Sequence, residues 1–427
     1  MPLEALKKEV ESIVDSMRAE LLALSHAIHG EPELALEEFK AAKRLADAVE
    51  SHDIPVQRKS FGLDTAYVAE FGKDRGPTIA ILSEYDALPG VGHACGHNII
   101  ATTGLGATLA LARLGARLPG RVRYLGTPAE ERFGGKEIIA REGAFDGADA
   151  AMMIHPSNLN LTTMPCIAIS EVEVTYHGRA AHAAAMPYRG LNALDAVVTA
   201  YQSIAQLRQH IKQTERLHGI ITEGGLAANI VPERAACRFY VRAFDIHELG
   251  ELKQRVHRCF EGAALATGTR ADIKWGTTDY LDLKTNWPMA GIFERNAKAL
   301  GREFFPVKEI PAGFAGSTDM GNVSHRVPSI HPMLAVAPAG VIIHNAEFAV
   351  WAASDKGDAA VIDGAKALAL TALELMSDRA QLDIAKADFD ATADISKAAL
   401  AKLYENHPTD HHHDHGHAHG AGGCGCM

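Results

Sequence analysis

The sequence predicts an α/β protein whose main domain is built on a mixed, mostly parallel sheet and is interrupted by a ferredoxin-like α+β domain. Short aliphatic runs alternate with helical stretches up to about residue 165, a different pattern occupies 166–280, and the first pattern then returns. A length of 427 residues also suggests about two domains. We therefore place the main domain at 1–165 and 281–405, the inserted domain at 166–280, and a disordered His-rich tail at 406–427.

The main domain is predicted from the spacing of its hydrophobic residues. Residues 1–50 are predicted to be helical because apolar side chains recur every three or four positions. The segment 99–115, rich in Ala, Leu and Gly, is predicted as a further helix. Four aliphatic runs are predicted as strands, at 66–72, 78–88, 121–128 and 150–156. Aliphatic strands separated by helices are typical of a parallel sheet that helices cover.

The inserted domain has a different signature, because its strands alternate apolar and polar residues and its helices are amphipathic. The order of predicted elements is strand, helix, strand, strand, helix, strand, at 167–178, 191–211, 218–225, 229–245, 247–268 and 269–276. This is the order of a ferredoxin-like sandwich.

Composition and charge exclude several classes of protein. Hydrophobic residues make up 47% and charged residues 22%, which is typical of a soluble globular chain. The net charge of −11 would repel a nucleic-acid backbone, so neither DNA nor RNA is an expected partner. No run approaches the ~18 apolar residues of a membrane span. The N-terminal segment mixes acids and bases without an apolar core, so we expect no signal peptide and a cytoplasmic location.

Residues capable of binding metal follow the predicted strands. Cys95 and His97 lie two apart in a glycine-framed segment after 78–88, and such spacing suits a metal site better than a helix cap. The other candidates are weaker alone, because paired acids also suit a helix N-terminus and a histidine at a strand end is often structural. These candidates are Glu130, Glu131, His155 and His344. Together the six could hold two metal ions and leave one carboxylate free.

The motifs EYDALPGVGHACGHN, GTPAEE, GRAAHAAAMPYRGLNALDA, NIVP and STDMGN resemble those of the M20 metallopeptidases. The resemblance extends in order to about residue 380. It is strongest to the amidohydrolase subfamily, which includes aminobenzoyl-glutamate hydrolase subunits and cytosolic β-alanyl-lysine dipeptidases. It implies a two-metal hydrolase that cleaves amide bonds in N-acyl amino acids or dipeptide-like substrates with a metal-activated water. It also implies that the inserted domain is a lid and that the chain forms a homodimer through it.

The resemblance implies a set of five metal ligands, Cys95, His97, Glu131, His155 and His344. Cys95 would bridge the two ions, with two histidines completing one site and an acid and a histidine completing the other. A soft thiolate favours zinc, and manganese, cobalt or nickel are the alternatives.

The resemblance also assigns roles to five further residues. Asp86 would orient a ligand histidine, and Glu130 would be the general base. His182 would reach the neighbouring subunit's site and stabilise an oxyanion. Asn229 and Arg242 would hold the carboxylate of the substrate. A short polar run is expected to line the pocket, at Ser317, Thr318 and Asp319.

The tail leaves other functions open. Residues 407–427 hold seven of the 22 histidines and two of the six cysteines, so they could collect metal or act only as a solubilising end. A metal-handling or storage protein on a hydrolase fold is therefore the main alternative, and a hydrolase of a carboxylate-free amide is another. Glu130 disfavours the storage protein, because storage needs no general base.

Overall fold

The computed structural model describes residues 2–163, 165–310 and 315–406. The strands within these ranges are β1 Val56–Arg58, β2 Tyr67–Gly72, β3 Thr78–Ser83, β4 Arg121–Gly126, β5 Ala150–Met152, β6 His155–Ser157, β7 Ala168–His177, β8 Arg216–Glu223, β9 Arg234–Ala243, β10 Arg270–Trp275, β11 Ser329–Ile330 and β12 Met333–Ala335. The helices are α1 Leu3–Ser16, α2 Arg18–Gly30, α3 Phe39–Glu50, α4 His97–Ala112, α5 Gly135–Arg141, α6 Ala193–Leu207, α7 Ile246–Thr267, α8 Trp287–Ala299, α9 Met320–Ser324, α10 Ala346–Ala352, α11 Asp355–Ser377, α12 Arg379–Asp390 and α13 Ala393–Asn406. The predicted tail lies outside the described residues from residue 407 onward.

Six strands form the sheet of the main domain, in the order β1-β2-β4-β3-β5-β11. The pairs β3–β4, β3–β5 and β5–β11 are parallel, whereas β1–β2 and β2–β4 are antiparallel. The predicted mixed, mainly parallel α/β sheet is therefore confirmed. The central strand β3 is aliphatic and buried over Ile79–Ser83, because Ile79 and Ile81 enter one hydrophobic core and Ala80 and Leu82 enter another.

Helix α4 packs tightly against β3. All of its residues from His97 to Leu111 are buried. The close approach depends on Gly104, where a Cβ would lie 2.4 Å from the Ser83 Oγ atom and 2.6 Å from the Leu82 carbonyl oxygen. As a result, the first residue of α4 is fixed over the carboxyl end of β3, the end where α/β proteins bind their ligands.

A second sheet, with the order β10-β7-β9-β8, is antiparallel throughout. Helices α6 and α7 pack on it, and its buried side chains form a core of their own around residues such as Val174, Phe239 and Phe260. The chain and strand orders are those of a ferredoxin-like sandwich. Strand β8 lies at one edge of this sheet.

Several predicted boundaries were wrong. The run 150–156 splits into β5 and β6, because β6 leaves the main sheet and pairs with β12 in a separate two-stranded sheet. The strand predicted for 78–88 ends at Ser83, where the chain turns into the loop that holds Cys95. The strand predicted for 229–245 begins only at Arg234. No helix in the described ranges combines the length and apolarity that a membrane span requires.

Candidate metal centre

Four loop or strand-end segments meet beyond the carboxyl end of β3. The Sγ atom of Cys95 lies 3.3 Å from Nε2 of His155 and 3.3 Å from Nε2 of His344. Gly96 allows this approach, because its φ of 78° suits glycine and a Cβ there would lie 2.5 Å from Cγ of Pro156. The structure therefore brings together residues separated by up to 249 positions in the sequence.

Two potential ligand sets share the Cys95 thiol. Cys95, His97 and His155 form one group, and Cys95, Glu131 and His344 form another, with the ligand atoms of each group within 4.8 Å of one another. The donors in the two sets are sulfur, nitrogen and carboxylate oxygen, which suit zinc and similar transition metals. The five ligands predicted from the sequence are therefore juxtaposed.

Unpaired buried atoms provide an independent test of whether cations fit here. Nε2 of His97 and Oε1 of both Glu84 and Glu131 are buried and have no hydrogen-bond partner outside this cluster. They face one another, because Nε2 of His97 lies 2.9 Å from Oε1 of Glu84 and 3.8 Å from Oε1 of Glu131. Leaving such an atom unsatisfied costs about 1–3 kcal/mol. Metal ions would satisfy all three atoms, so the residues present fit a metal centre.

Asp86 orients two of the proposed ligands. Its backbone carbonyl oxygen and Oδ1 atom lie 2.8 Å and 3.1 Å from Nδ1 of His97, and its Oδ2 atom accepts a hydrogen bond of 2.9 Å from the Glu131 amide. Because Nδ1 of His97 faces these acceptors, it carries the proton in the neutral ring, and Nε2 keeps its lone pair for a metal.

Burial favours the neutral form of the two other histidines, which is the form that binds metal. Burial, with His331 and His97 nearby, lowers the pKa of His155 to about 3. Burial likewise lowers the pKa of His344. Burial and the neighbouring Glu131 carboxylate raise the pKa of Cys95 well above its usual value. A bound cation would reverse that shift, because a coordinating thiol is deprotonated.

Glu130 is buried beside the two ligand sets. Burial and the nearby carboxylates of Glu84 and Glu131 raise the pKa of Glu130 well above its usual value. Its loop is strained, since Ala129 has a φ of 62°. Oε1 of the buried Glu38 accepts a 2.8 Å hydrogen bond from the Ala129 amide and so secures the turn.

A cavity of about 710 Å³ opens onto Cys95 and Glu130. The second sheet contributes part of its wall through Glu171, Tyr240 and Trp275, among others. A cavity of this volume accommodates a small molecule of roughly dipeptide size.

Arg242 lines this cavity together with Ser317 and Thr318, as the sequence predicted. It is half-buried, Nη1 donates a 3.4 Å hydrogen bond to the Ser317 Oγ atom, and its buried Nε atom has no hydrogen-bond partner. Asp319, which was also expected to line the pocket, is fully buried and pairs with Lys136 instead. Its carboxylate is needed there because a buried ammonium requires a counter-charge.

His182 and Asn229 are not among the residues that line the cavity of this chain. Both are exposed, and they adjoin each other, since the Ala183 amide donates a 3.0 Å hydrogen bond to the Asn229 carbonyl oxygen. Ile230 forms an isolated bridge with His182 beside them. The structure thus separates these two residues from the ligands and keeps them together on an exposed surface.

Three residues near the centre were not among the predicted site residues. Glu84, Lys136 and His331 are all buried, and the ring of His331 lies 5.5 Å from that of His155. Glu84 lies within the motif EYDALPGVGHACGHN, and Lys136 lies five residues after the motif GTPAEE. The available signal was therefore a charged residue in or just after a motif. Their mutual contact could not be read from the sequence, because 52 residues separate them.

Comparison with known proteins shows similarity over most of the chain. The model for peptidase family M20/M25/M40 matches residues 80–374. An Xaa-Arg dipeptidase from Mus musculus is 40% identical over 400 residues, which cover 91% of this chain and 93% of the relative. One of the subunits of p-aminobenzoyl-glutamate hydrolase from Escherichia coli strain K12 is 32% identical over 306 residues, covering 66% of this chain and 63% of the relative.

A solved structure has a similar fold. A dinuclear metal binding peptidase of the M20 family from Bacillus subtilis superposes with a TM-score of 0.64 at 22% identity. The superposition covers 85% of this chain and 99% of the other. The similarity therefore includes both the main sheet and the region of the second sheet.

Proposed function

The chain belongs to peptidase family M20/M25/M40 and is a hydrolase of peptide or amide bonds, and from this premise we propose that it cleaves dipeptides or N-acyl amino acids with two metal ions. The observation that carries the proposal is the Cys95 thiol, which belongs to two ligand sets at once. One shared ligand and two further donors per ion match the needs of a two-metal hydrolase.

The residues would divide between the two ions as the resemblance implies. His97 and His155 would hold one ion, Glu131 and His344 the other, and Cys95 both. The chemistry that two such cations would supply is the lowering of a water's pKa toward ~7 and the polarisation of the scissile carbonyl. Zinc is the proposed metal, because thiolate and imidazole donors favour it.

Glu130 is the proposed general base. Its raised pKa, caused first by burial, suits a group that takes a proton and then returns it. It would accept the proton of the attacking water and deliver it to the leaving amine. The Glu38 contact holds the Glu130 loop, so the carboxylate does not have to reorganise during the reaction.

Arg242 is proposed to bind the carboxylate of the substrate. Its Nε atom is buried and unpartnered, and the residue lines the cavity that contains Cys95 and Glu130. A guanidinium can grip a carboxylate with two parallel hydrogen bonds. Dipeptides and glutamate conjugates carry such a carboxylate, and relatives of this chain are named for hydrolysing an Xaa-Arg dipeptide and p-aminobenzoyl-glutamate.

A substrate panel tests this function. The zinc-loaded full-length chain should hydrolyse some dipeptides, Xaa-Arg included, or N-acyl amino acids, with products identified by mass. A chelator should abolish the activity and added zinc should restore it. Amidation of the C-terminus should lower kcat/KM by about 10–100-fold, because a charge-assisted hydrogen bond contributes about 1.5–3 kcal/mol.

Three results would contradict the proposal. Turnover that survives metal removal would exclude the two-metal mechanism. Equal rates for free and amidated substrates would favour a hydrolase of carboxylate-free amides. If the metal-loaded chain hydrolyses no substrate in the panel, the result would favour the metal-handling protein over the hydrolase.

We further propose that 166–280 is a lid through which two chains form a homodimer. Strand β8 is an edge strand, and its Ile220 and Ile221 are 62% and 45% exposed. Tyr188, in a short 3-10 helix of the same region, and Leu226, in a loop, are 78% and 94% exposed. Unpaired edges and apolar surfaces of this kind favour association with a partner.

In such a dimer His182 would act in the site of the partner chain, and complementation tests this. Glu130→Gln and His182→Ala chains, each inactive alone, are mixed under conditions that exchange subunits. In a mixed dimer one site carries both defects and the other neither. With equal amounts and random exchange, about a quarter of normal activity should return.

The matched control mixes each variant only with itself and should recover nothing. Subunit exchange is measured separately, for example by fluorescence transfer between labelled chains. If exchange is complete and no activity returns, His182 does not act across the dimer.

A further inference from the structure

We propose that Glu84 supplies an additional carboxylate oxygen to the ion that Cys95, His97 and His155 would hold, and that Lys136 and Asp319 fix its orientation. This inference rests on the metal centre of the proposed function but does not depend on the substrate. It adds a sixth protein ligand to the five implied by the resemblance.

The first argument is the position of Glu84. It directly follows β3, is fully buried, and Oε1 lies 2.9 Å from Nε2 of His97. Glu84, His97 and Glu130 also form a third group whose ligand atoms lie within 4.8 Å of one another. A buried carboxylate at this place faces the centre rather than the solvent.

The second argument concerns the two atoms that face each other. Because Nδ1 of His97 points to the acceptors of Asp86, Nε2 of the neutral ring is itself an acceptor. Oε1 of Glu84 is also an acceptor, and neither atom has a hydrogen-bond partner despite their short separation. Without metal, a proton on Nε2 of His97 joins the two atoms as an ion pair. A metal ion bound to both atoms would take the place of that proton.

Their separation also suits two ligands of one ion. Two ligands that each lie ~2.1 Å from one ion are separated by ~3.0–3.4 Å. The observed 2.9 Å is close to this range, although it is also the length of an ordinary hydrogen bond. Glu84 would therefore need little movement to bind the ion that His97 would hold.

The third argument is the buried clamp that holds the other oxygen of Glu84. Oε2 pairs with Nζ of Lys136, and the same Nζ lies 2.7 Å from Oδ1 of Asp319. The Lys136 amide donates a 2.8 Å hydrogen bond to Oδ2 of Asp319. One ammonium between two carboxylates leaves a net charge of −1, which attracts a cation, and the clamp leaves Oε1 as the free donor.

Metal affinity of the full-length chain tests the proposal. In Glu84→Gln one of the two ions should bind about 10–100-fold more weakly, the loss usually caused by removing a supporting group, or more. The cobalt-loaded variant should also show an altered visible spectrum, because that ion loses an oxygen donor. Affinity is measured by competition with a chelator, using zinc and cobalt as probes.

Glu137→Gln is the matched control. Glu137 is the neighbour of Lys136 in the chain and is equally buried, but its carboxylate pairs with Arg326 and accepts from Asn322, not from a ligand of the centre. It should lose stability while keeping wild-type metal affinity and an unchanged cobalt spectrum. The His-rich tail is present in every variant, so its contribution cancels from the comparison.

Wild-type affinity for both ions and an unchanged spectrum in Glu84→Gln would overturn the proposal. Weaker binding without a spectral change would also overturn it, because Glu84 would then act only through His97. If Glu84→Gln does not fold, Glu84→Asp replaces it in the test. Aspartate keeps the charge, but its shorter side chain places the carboxylate one methylene further from the ion, so the same changes in affinity and spectrum are expected. Normal metal binding without hydrolysis of any substrate would contradict the proposed function and not this inference.

Discussion

Glu130→Gln is expected to lose nearly all turnover while it keeps both ions and the fold. A general base contributes about 10²–10⁴-fold to the rate. Glutamine has nearly the same shape but cannot take a proton from water. The change should therefore appear in kcat, with little effect on binding of a dipeptide.

The matched control is the adjacent residue. Glu131→Gln alters a proposed ligand, so it should lose metal as well as activity, whereas Glu130→Gln should lose activity alone. Metal content by elemental analysis and single-substrate kinetics distinguish the two. Retention of more than about a tenth of kcat in Glu130→Gln would exclude it as the base, and loss of metal would identify Glu130 as a ligand instead.

Cys95→Ala should reduce activity by a similar factor, but through loss of metal rather than loss of the general base. Because Cys95 belongs to both ligand sets, its removal should release at least one of the two ions. Activity should fall by more than the roughly 10–100-fold that loss of an outer supporting group costs. Cys95→Asp should restore part of the metal content and part of the activity, since a carboxylate can also bridge two divalent ions.

Cys166→Ala provides the control for removal of a thiol. Cys166 is also buried and lines the same cavity, but it belongs to none of the potential ligand groups among the described residues. It should keep both ions. Full metal content in Cys95→Ala, measured beside this control, would remove the shared thiolate from the proposed mechanism.

The sequence allowed the fold class to be predicted because hydrophobic spacing is a local property. The aliphatic runs at 66–72 and 121–128 predicted β2 and β4 within two residues. The split of 150–156 between two sheets could not be predicted, because it depends on the pairing of β6 with β12. That pairing joins residues about 180 positions apart, as Met333 with His155 shows.

Most of the proposed ligands could be grouped for a related reason. Cys95 and Glu131 lie in segments that follow β3 and β4, and His155 follows β5, and the ends of these strands meet at one edge of the sheet. His344 is different, because the apolar run before it, 341–343, forms no strand. The supporting charges were not predictable to the same degree. Lys136 and Asp319 are 183 positions apart, and nothing local shows that they form one buried pair with Glu84. The role of His182 in a partner chain and the role of Asn229 in holding the substrate carboxylate stay predictions, since neither residue lines the cavity of its own chain.

The two sides of the cavity are formed by residues that belong to different hydrophobic cores. The loop with Cys95 and the start of α4 with His97 belong to the tightly packed β3–α4 layer, where a Cβ on Gly104 would lie 2.6 Å from the Leu82 carbonyl oxygen, so this part of the site tolerates little change. The facing wall comes from exposed or half-buried positions on β7, β9 and β10, among them Glu171, Tyr240 and Trp275. A mutant library confined to that wall should alter substrate preference without weakening metal retention.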